Sequence, residues 1–106
     1  KYFCFQFWDW QKQRSALDGL ATRENREPTE REAIKRAALS HRIEMVMDAM
    51  DKATKEHPEI YEDLLYSVTR GYSYDSMSAK KVLPMSREAY YNIYRYFFYL
   101  LHRARE

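Results

Sequence analysis

Cysteine, glycine and proline are all scarce in this sequence, and their scarcity limits the folds that it could adopt. Of 106 residues, one is cysteine, two are glycine and three are proline. Because Cys4 has no partner in the chain, no internal disulfide is expected, and a reducing compartment is the natural setting. Few glycines and prolines leave few positions where a helix must end. We therefore predict an all-α fold, a small helical domain with a long central helix.

Sequence motifs of several protein classes are missing. His41, His57 and His102 lie far apart, without a Cys or His at ligand spacing, so no metal site is expected. The sequence has no glycine-rich phosphate loop, nucleophile elbow or HExxH motif, and we expect neither an enzyme nor a cofactor. No apolar run approaches the roughly 20 residues of a membrane helix, and the aromatic N-terminus lacks a signal-peptide pattern, so no membrane partner is expected.

Aromatic and charged side chains are abundant instead. Aromatic residues make up 16% of the chain, including ten tyrosines, and charged residues make up 32% with a net charge of +2. This composition is typical of a folded, globular chain, and its weak positive charge alone does not indicate nucleic acid. The length suits one domain. Within it we distinguish an N-terminal helical pair, residues 1–57, and a helix-turn-helix-like part, residues 58–106.

The first helix is predicted at residues 2–20, followed by a polar loop at residues 21–28. Its expected inner face consists of Phe3, Cys4, Phe7, Trp10 and Leu17. Because aromatic side chains are enriched in interfaces, an alternative is that Trp8 and Trp10 are exposed and form a partner or dimer surface.

The central helix is predicted to begin at a capping box formed by Thr29 and Glu32 and to run to about residue 56. A heptad-like apolar stripe lies along it, and further apolar residues widen the stripe on one side: Leu39, Ile43, Val46, Met50 and Ala53, then Ile34, Ala38, Met45 and Ala49. A helix of this length exceeds the needs of one small domain. This slightly favours a homodimer through residues 32–56, with the N-terminal aromatics as the other candidate surface.

Three helices are predicted in the C-terminal part. The first covers residues 59–70 and ends at Gly71. The second is capped by Ser73 and covers residue 74 to about residue 82, with Met77 and Val82 as its candidate inward residues. After a turn at residues 83–85, Ser86 caps the last helix, since Pro84 disfavours helical backbone at Leu83. The last helix has an apolar stripe of Tyr90, Ile93, Phe97, Leu100 and Ala104.

Two motifs in this part carry a family resemblance. The run Gly-Tyr-Ser-Tyr-Asp-Ser-Met at residues 71–77 resembles the opening of the helix-turn-helix in sigma-factor region 4. The last helix carries Ser86, Tyr90, Tyr91 and Ile93 in an arrangement similar to the recognition helices of phage late-transcription regulators of the ArpU/RinA type. The resemblance covers residues 60–105. It implies a helix-turn-helix, double-stranded DNA as partner, contact with host RNA polymerase, and the cytoplasm of a bacterial host cell.

The resemblance and the side-chain types together imply a set of DNA-binding residues. Arg87 and Asn92 would read base edges, since arginine pairs with guanine and asparagine with adenine in the major groove. Tyr91 and Arg95 would contact base methyl groups or phosphate, and three further residues would contact phosphates: Ser86, Lys80 and Lys81. The alternative is a small helical phage protein that binds a host or phage protein through its aromatic surface, without binding DNA.

Overall fold

Three helices of this protein start at a residue whose side chain accepts a free backbone amide of the first turn, and these residues are Thr29, Ser73 and Ser86. The computed structural model describes residues 2–106, which are 78% helical without strands and measure 51 × 32 × 23 Å. The elements are α1 (Tyr2–Phe5), α2 (Phe7–Arg23), α3 (Glu30–Ala53), a 3₁₀ turn (Pro58–Ile60), α4 (Tyr61–Arg70), α5 (Tyr74–Ser78) and α6 (Arg87–Arg105). The all-α fold with a long central helix is therefore confirmed.

The first predicted helix is divided into α1 and α2 by a tightened turn at Gln6, whose amide donates to the carbonyl of Phe3 at 3.3 Å. This bend allows α1 to pack against α4. Helix α2 continues three residues beyond the predicted end at residue 20, and the buried Ala21 lies in this extension. Asn25 then takes a left-handed conformation, with φ of 49°, which ends the helix.

The predicted capping box at the start of α3 is present. The Thr29 hydroxyl accepts the Glu32 amide at 3.2 Å, and the Glu32 carboxylate accepts the Thr29 amide at 2.8 Å. The helix ends at Ala53, three residues before the predicted end, and the hydroxyl of the buried Thr54 donates to the carbonyl of Met50.

The C-terminal helices also follow the predicted caps. Gly71 ends α4 with φ of 77°, a conformation that other residues adopt at a cost. The hydroxyls of Ser73 and Ser86 cap α5 and α6. However, α5 ends at Ser78, earlier than predicted, because the amides of Lys80 and Lys81 both turn back to the carbonyl of Met77.

One hydrophobic core joins the two parts of the chain. It contains Cys4, Phe7 and Trp10 from the N-terminal helices, the stripe of α3, and Tyr90, Phe97 and Leu101 from α6. Phe3 and Leu17 are half-buried against it. The alternative in which Trp8 and Trp10 are both exposed is wrong for Trp10, which is 3% exposed. Trp8 is half-buried, and its indole N–H donates a hydrogen bond to Thr69 Oγ1 at 2.9 Å.

Several predicted core positions are exposed. Val82 is 93% exposed, and Leu83 fills the inward position instead, because the chain has left the helix by this point. Ile34 and Ala38 are exposed as well, since the part of α3 that enters the core begins at Leu39. Ala104 is exposed near the end of α6, where Leu101 takes the last buried position.

Candidate nucleic-acid interface

The first two turns of α6 present polar side chains on one side and bury an aromatic residue on the other. Ser86 caps the helix by accepting the amide of Ala89 at 3.2 Å. Tyr90, one turn later, is fully buried. Arg87, Asn92 and Arg95 are exposed. At 100° per residue, Asn92 and Arg95 project about 160° and 140° away from Tyr90, whereas Arg87, three residues before Tyr90, lies about 60° from it, at the edge of the buried side.

Tyrosine hydroxyls fix the start of α6 against α5. The backbone N–H of Tyr74 donates to Tyr91 Oη at 3.2 Å, and Tyr74 Oη donates to the carbonyl of Met85 at 2.8 Å. The Tyr74 ring also packs against the Tyr90 ring, with 5.3 Å between centroids. The orientation of α6 is therefore held by two hydrogen bonds and a ring contact within the first two turns of the helix.

Tyr90 anchors the same turn from beneath. Its hydroxyl lies beside Ser67 of α4, whose own hydroxyl donates to the carbonyl of Tyr72. Burial raises the pKa of Tyr90 to about 12, so the phenol stays neutral even at pH values well above the physiological range. A neutral, fully buried ring suits a structural role for Tyr90 rather than contact with a ligand.

Three of the predicted DNA-binding residues line a shallow concavity on the outward side of α6. Arg87, Tyr91 and Arg95 surround it together with Glu88, and its volume is about 580 Å³. The Arg87 guanidinium lies 5.2 Å from the centre of the Tyr91 ring, and its Nε is 3.6 Å from a carboxylate oxygen of Asp75. Both side chains of this ion pair are mostly exposed, at 65% and 75%, so the pair is weak and open to exchange with another anion.

Asn92 connects this concavity to a second groove. Its side-chain oxygen accepts a hydrogen bond from Arg95 Nη2 at 2.8 Å. On its other side, Asn92 lines a groove of about 390 Å³ between α6 and the end of α3. The remaining residues of that groove are Lys52, Ala53, Lys55, Glu56, His57, Ile93 and Tyr96.

The two predicted phosphate-binding lysines belong to a different groove, of about 290 Å³, between α4 and α5. Lys81 Nζ lies 3.0 Å from Asp63 Oδ1, and Lys80 Nζ lies 5.4 Å from the centre of the Tyr72 ring. The structure thus brings Arg87, Tyr91, Asn92 and Arg95 together on one exposed surface, whereas Lys80 and Lys81 are engaged elsewhere.

The sequence interpretation missed the residues around this surface. Asp75 and Glu88 place negative charge beside Arg87, and Lys52, Lys55 and His57 lie across the groove from Asn92. The nearness of Lys52 and Lys55 to the end of α3 was visible in the sequence. Their position beside α6 depends on how the two helices pack, for which the sequence carries no local signal.

Within residues 2–106, no group of three or more His, Cys, Asp or Glu side chains is arranged to hold a metal ion. No helix in the same range has both the length and the apolar character needed to cross a bilayer. No protein-family model matches the chain, and searches of curated proteins and of solved structures find no match either.

Proposed function

We propose that the protein binds double-stranded DNA through the first turns of α6 and regulates transcription as a phage or prophage protein in the bacterial cytoplasm. One observation carries the proposal: Arg87, Asn92 and Arg95 are exposed on a capped helix that buries Tyr90 and whose start is fixed to α5. An α-helix fits the major groove of DNA, where side chains from its N-terminal turns reach the base edges.

Each predicted DNA-binding side chain has its own role in this proposal. Arg87 would bind guanine and Asn92 adenine through paired hydrogen bonds. Tyr91 and Arg95 would contact base methyl groups or phosphates, and Ser86 a phosphate at the helix start. Lys80 would bind phosphate after leaving the Tyr72 ring, since an exposed cation–π contact contributes only about 0.5–1 kcal/mol. Lys81 would have to leave Asp63, whose side chain is only 13% exposed, so its release costs more than that of an exposed ion pair.

The partners of the protein are part of the same proposal. A homodimer would place two copies of α6 on two half-sites of an operator. Exposed apolar side chains lie on both candidate dimer surfaces: Ile34 (63%) and Met47 (39%) on α3, and Tyr2 (82%) and Phe5 (41%) at the N-terminus. Contact with host RNA polymerase would connect DNA binding to transcription. We propose no catalytic activity and no cofactor.

Fluorescence anisotropy with a labelled, mixed-sequence duplex tests the proposal. Binding should weaken as salt increases, because each phosphate contact releases counterions, with a slope of about −0.9 per contact in a plot of log affinity against log salt concentration. The double variant Arg87→Ala/Arg95→Ala should weaken binding. The matched control is Arg23→Ala/Arg31→Ala, which removes the same charge from exposed positions near the far end of the α2–α3 hairpin. Equal affinity for the two variants, or affinity independent of salt, would contradict the proposal.

A second candidate function is protein binding through the later part of α6. Tyr96 and Tyr99 are 48% and 54% exposed, and their rings are stacked with 6.3 Å between centroids. Exposed tyrosines are enriched in protein interfaces. A defined partner whose binding is lost in Tyr96→Ser/Tyr99→Ser but kept in Arg87→Ala/Arg95→Ala would favour this candidate over DNA binding.

A further inference from the structure

The groove between the end of α3 and α6 collects side chains that suit a phosphate. Lys52 and Lys55 line it with His57, and all three are exposed. From α6, the groove is lined by Asn92, Ile93 and Tyr96. Lys52 and Lys55 are absent from the ion pairs of the described residues, whereas Lys81 of the α4–α5 groove is paired with Asp63. Lys52 and Lys55 are therefore better placed than Lys81 to bind an anion.

The two flanks of α6 face different helices. Arg87 and Tyr91 lie on the α5 side, as their contacts with Asp75 and Tyr74 show. Asn92 and Tyr96 lie on the α3 side, in the groove with Lys52. At 100° per residue, Arg95 falls between these flanks and points outward. The outward surface of α6 is thus bordered by α5 on one side and by the end of α3 on the other.

The shape of the DNA major groove can be compared with this arrangement of helices on either side of α6. The major groove is about 12 Å wide, close to the diameter of a helix with its side chains, and a phosphate strand borders it on each side. A protein that places a helix in this groove is fixed in register by phosphate contacts, which carry no sequence information themselves. Such contacts on both sides of the helix would fix its position in the groove more firmly than contacts on one side.

We infer that Lys52 and Lys55, assisted by His57, bind the phosphate strand on the α3 side of α6 when its N-terminal turns lie in the major groove. This inference rests on the proposed function and adds a second phosphate-binding surface to it. Tyr96 lines the same groove, so its hydroxyl is placed to contact the same strand, while Asn92 at the edge of the groove reads the bases.

Two carboxylates in or near the groove oppose phosphate binding and limit the number of phosphate contacts that the groove can make. Glu56 lines the same groove, and Glu59 Oε1 lies 3.5 Å from Nδ1 of His57. The groove therefore carries two lysine charges against one carboxylate, with the histidine partly engaged. Two phosphate contacts, one for each lysine, are the expected number, and a larger contribution is not expected from this groove.

The test is the salt dependence of duplex binding by the full chain in which Lys52 and Lys55 are replaced together by alanine. Removing two phosphate contacts should reduce the slope of log affinity against log salt concentration by about 1.8. The preference between duplexes of different sequence should stay unchanged, because phosphate contacts do not read bases. Unfolding midpoints of the wild-type and variant chains, which should agree for exposed lysines, establish that the fold is retained.

The matched control is Lys12→Ala/Lys35→Ala, which removes the same charge from exposed positions on α2 and α3. Lys35 and Lys52 are 17 residues apart on one helix, which is about 25 Å, so the control leaves the groove untouched. An unchanged slope in Lys52→Ala/Lys55→Ala, with salt-dependent binding by the wild type, would overturn this inference and leave the proposed function standing. If the wild-type chain does not bind duplex DNA, both this inference and the proposed function are wrong. Loss of affinity for an acidic protein with unchanged DNA binding would also overturn the inference, in favour of a peptide ligand in the groove.

Discussion

The hydroxyl of Tyr91 accepts the backbone N–H of Tyr74 at 3.2 Å, which connects the first residue of α5 to the second turn of α6. An amide at the start of a helix has no partner within that helix, so a side chain from a neighbouring helix can satisfy it. The same Tyr91 ring lies beneath the Arg87 guanidinium. One tyrosine therefore supports both the packing of α6 and the position of a candidate DNA-binding arginine.

Replacing Tyr91 with phenylalanine should destabilise the protein by about 1 kcal/mol, because the Tyr74 amide loses its acceptor in a partly buried site. Urea denaturation followed by far-UV circular dichroism measures the change. Tyr99→Phe is the matched control, since the Tyr99 hydroxyl accepts only an exposed bond from Arg103 at 3.2 Å. Equal stability of the two variants would show that the Tyr74–Tyr91 bond contributes nothing measurable.

The caps of the helices could be predicted from the sequence because their signals are local. Thr29 and Glu32 are three residues apart, and each satisfies an amide of the other. Gly71 and Ser86 likewise act on their immediate neighbours, and both end or begin a helix as predicted. The central stripe from Leu39 to Ala53 is buried as its periodicity indicated.

The packing of the helices against one another could not be predicted in the same way. Trp8 donates to Thr69, 61 residues later, and no local pattern indicates this contact. The choice of Leu83 over Val82 as the buried residue depends on where α5 stops, which differed from the prediction by several residues. For the candidate site, the sequence identified Arg87 and Arg95, but Lys52 was missed because its distance from α6 is set by packing alone.

The two glycines should respond to alanine with opposite signs. Gly71 has φ of 77°, and an added Cβ would lie 3.4 Å from the Phe5 ring, so Gly71→Ala should destabilise the protein by about 1–2 kcal/mol. Gly19 lies inside α2 with no atom within 4 Å of an added Cβ, so Gly19→Ala should stabilise it by about 0.5–1 kcal/mol. Thermal and denaturant unfolding measure both changes. Destabilisation by Gly19→Ala would contradict the open position of this residue on α2.

The acid sensitivity of the α2–α3 hairpin should depend on Glu32. Hydrogen bonds from Arg26 and then from the Thr29 amide lower the pKa of Glu32 from 4.5 to about 2. Because the folded-state pKa is the lower one, its stabilising contribution is complete above pH 4.5 and is lost as the pH falls towards 2. Glu32→Gln keeps a side chain that can complete the capping box but removes the charge. The difference in denaturation midpoint between wild type and variant should therefore shrink between pH 5 and pH 2, and a constant difference over this range would contradict the assignment.

Asp75 should weaken DNA binding in the wild-type protein. Its carboxylate lies 3.6 Å from Arg87 Nε and places negative charge at the edge of the surface that is proposed to meet phosphates. A unit charge a few ångströms from another in water contributes about 1 kcal/mol, so Asp75→Asn should tighten duplex binding about threefold to fivefold at low salt. The gain should diminish as salt increases, because screening weakens exposed charges. Glu27→Gln, an equal charge change in the loop between α2 and α3, is the control and should leave the affinity nearly unchanged.

Two outcomes would contradict this account of Asp75. An equal gain in affinity in both variants would mean that net charge alone accounts for the effect. A loss of affinity in Asp75→Asn would mean that this carboxylate positions Arg87 for its base rather than competing with the DNA.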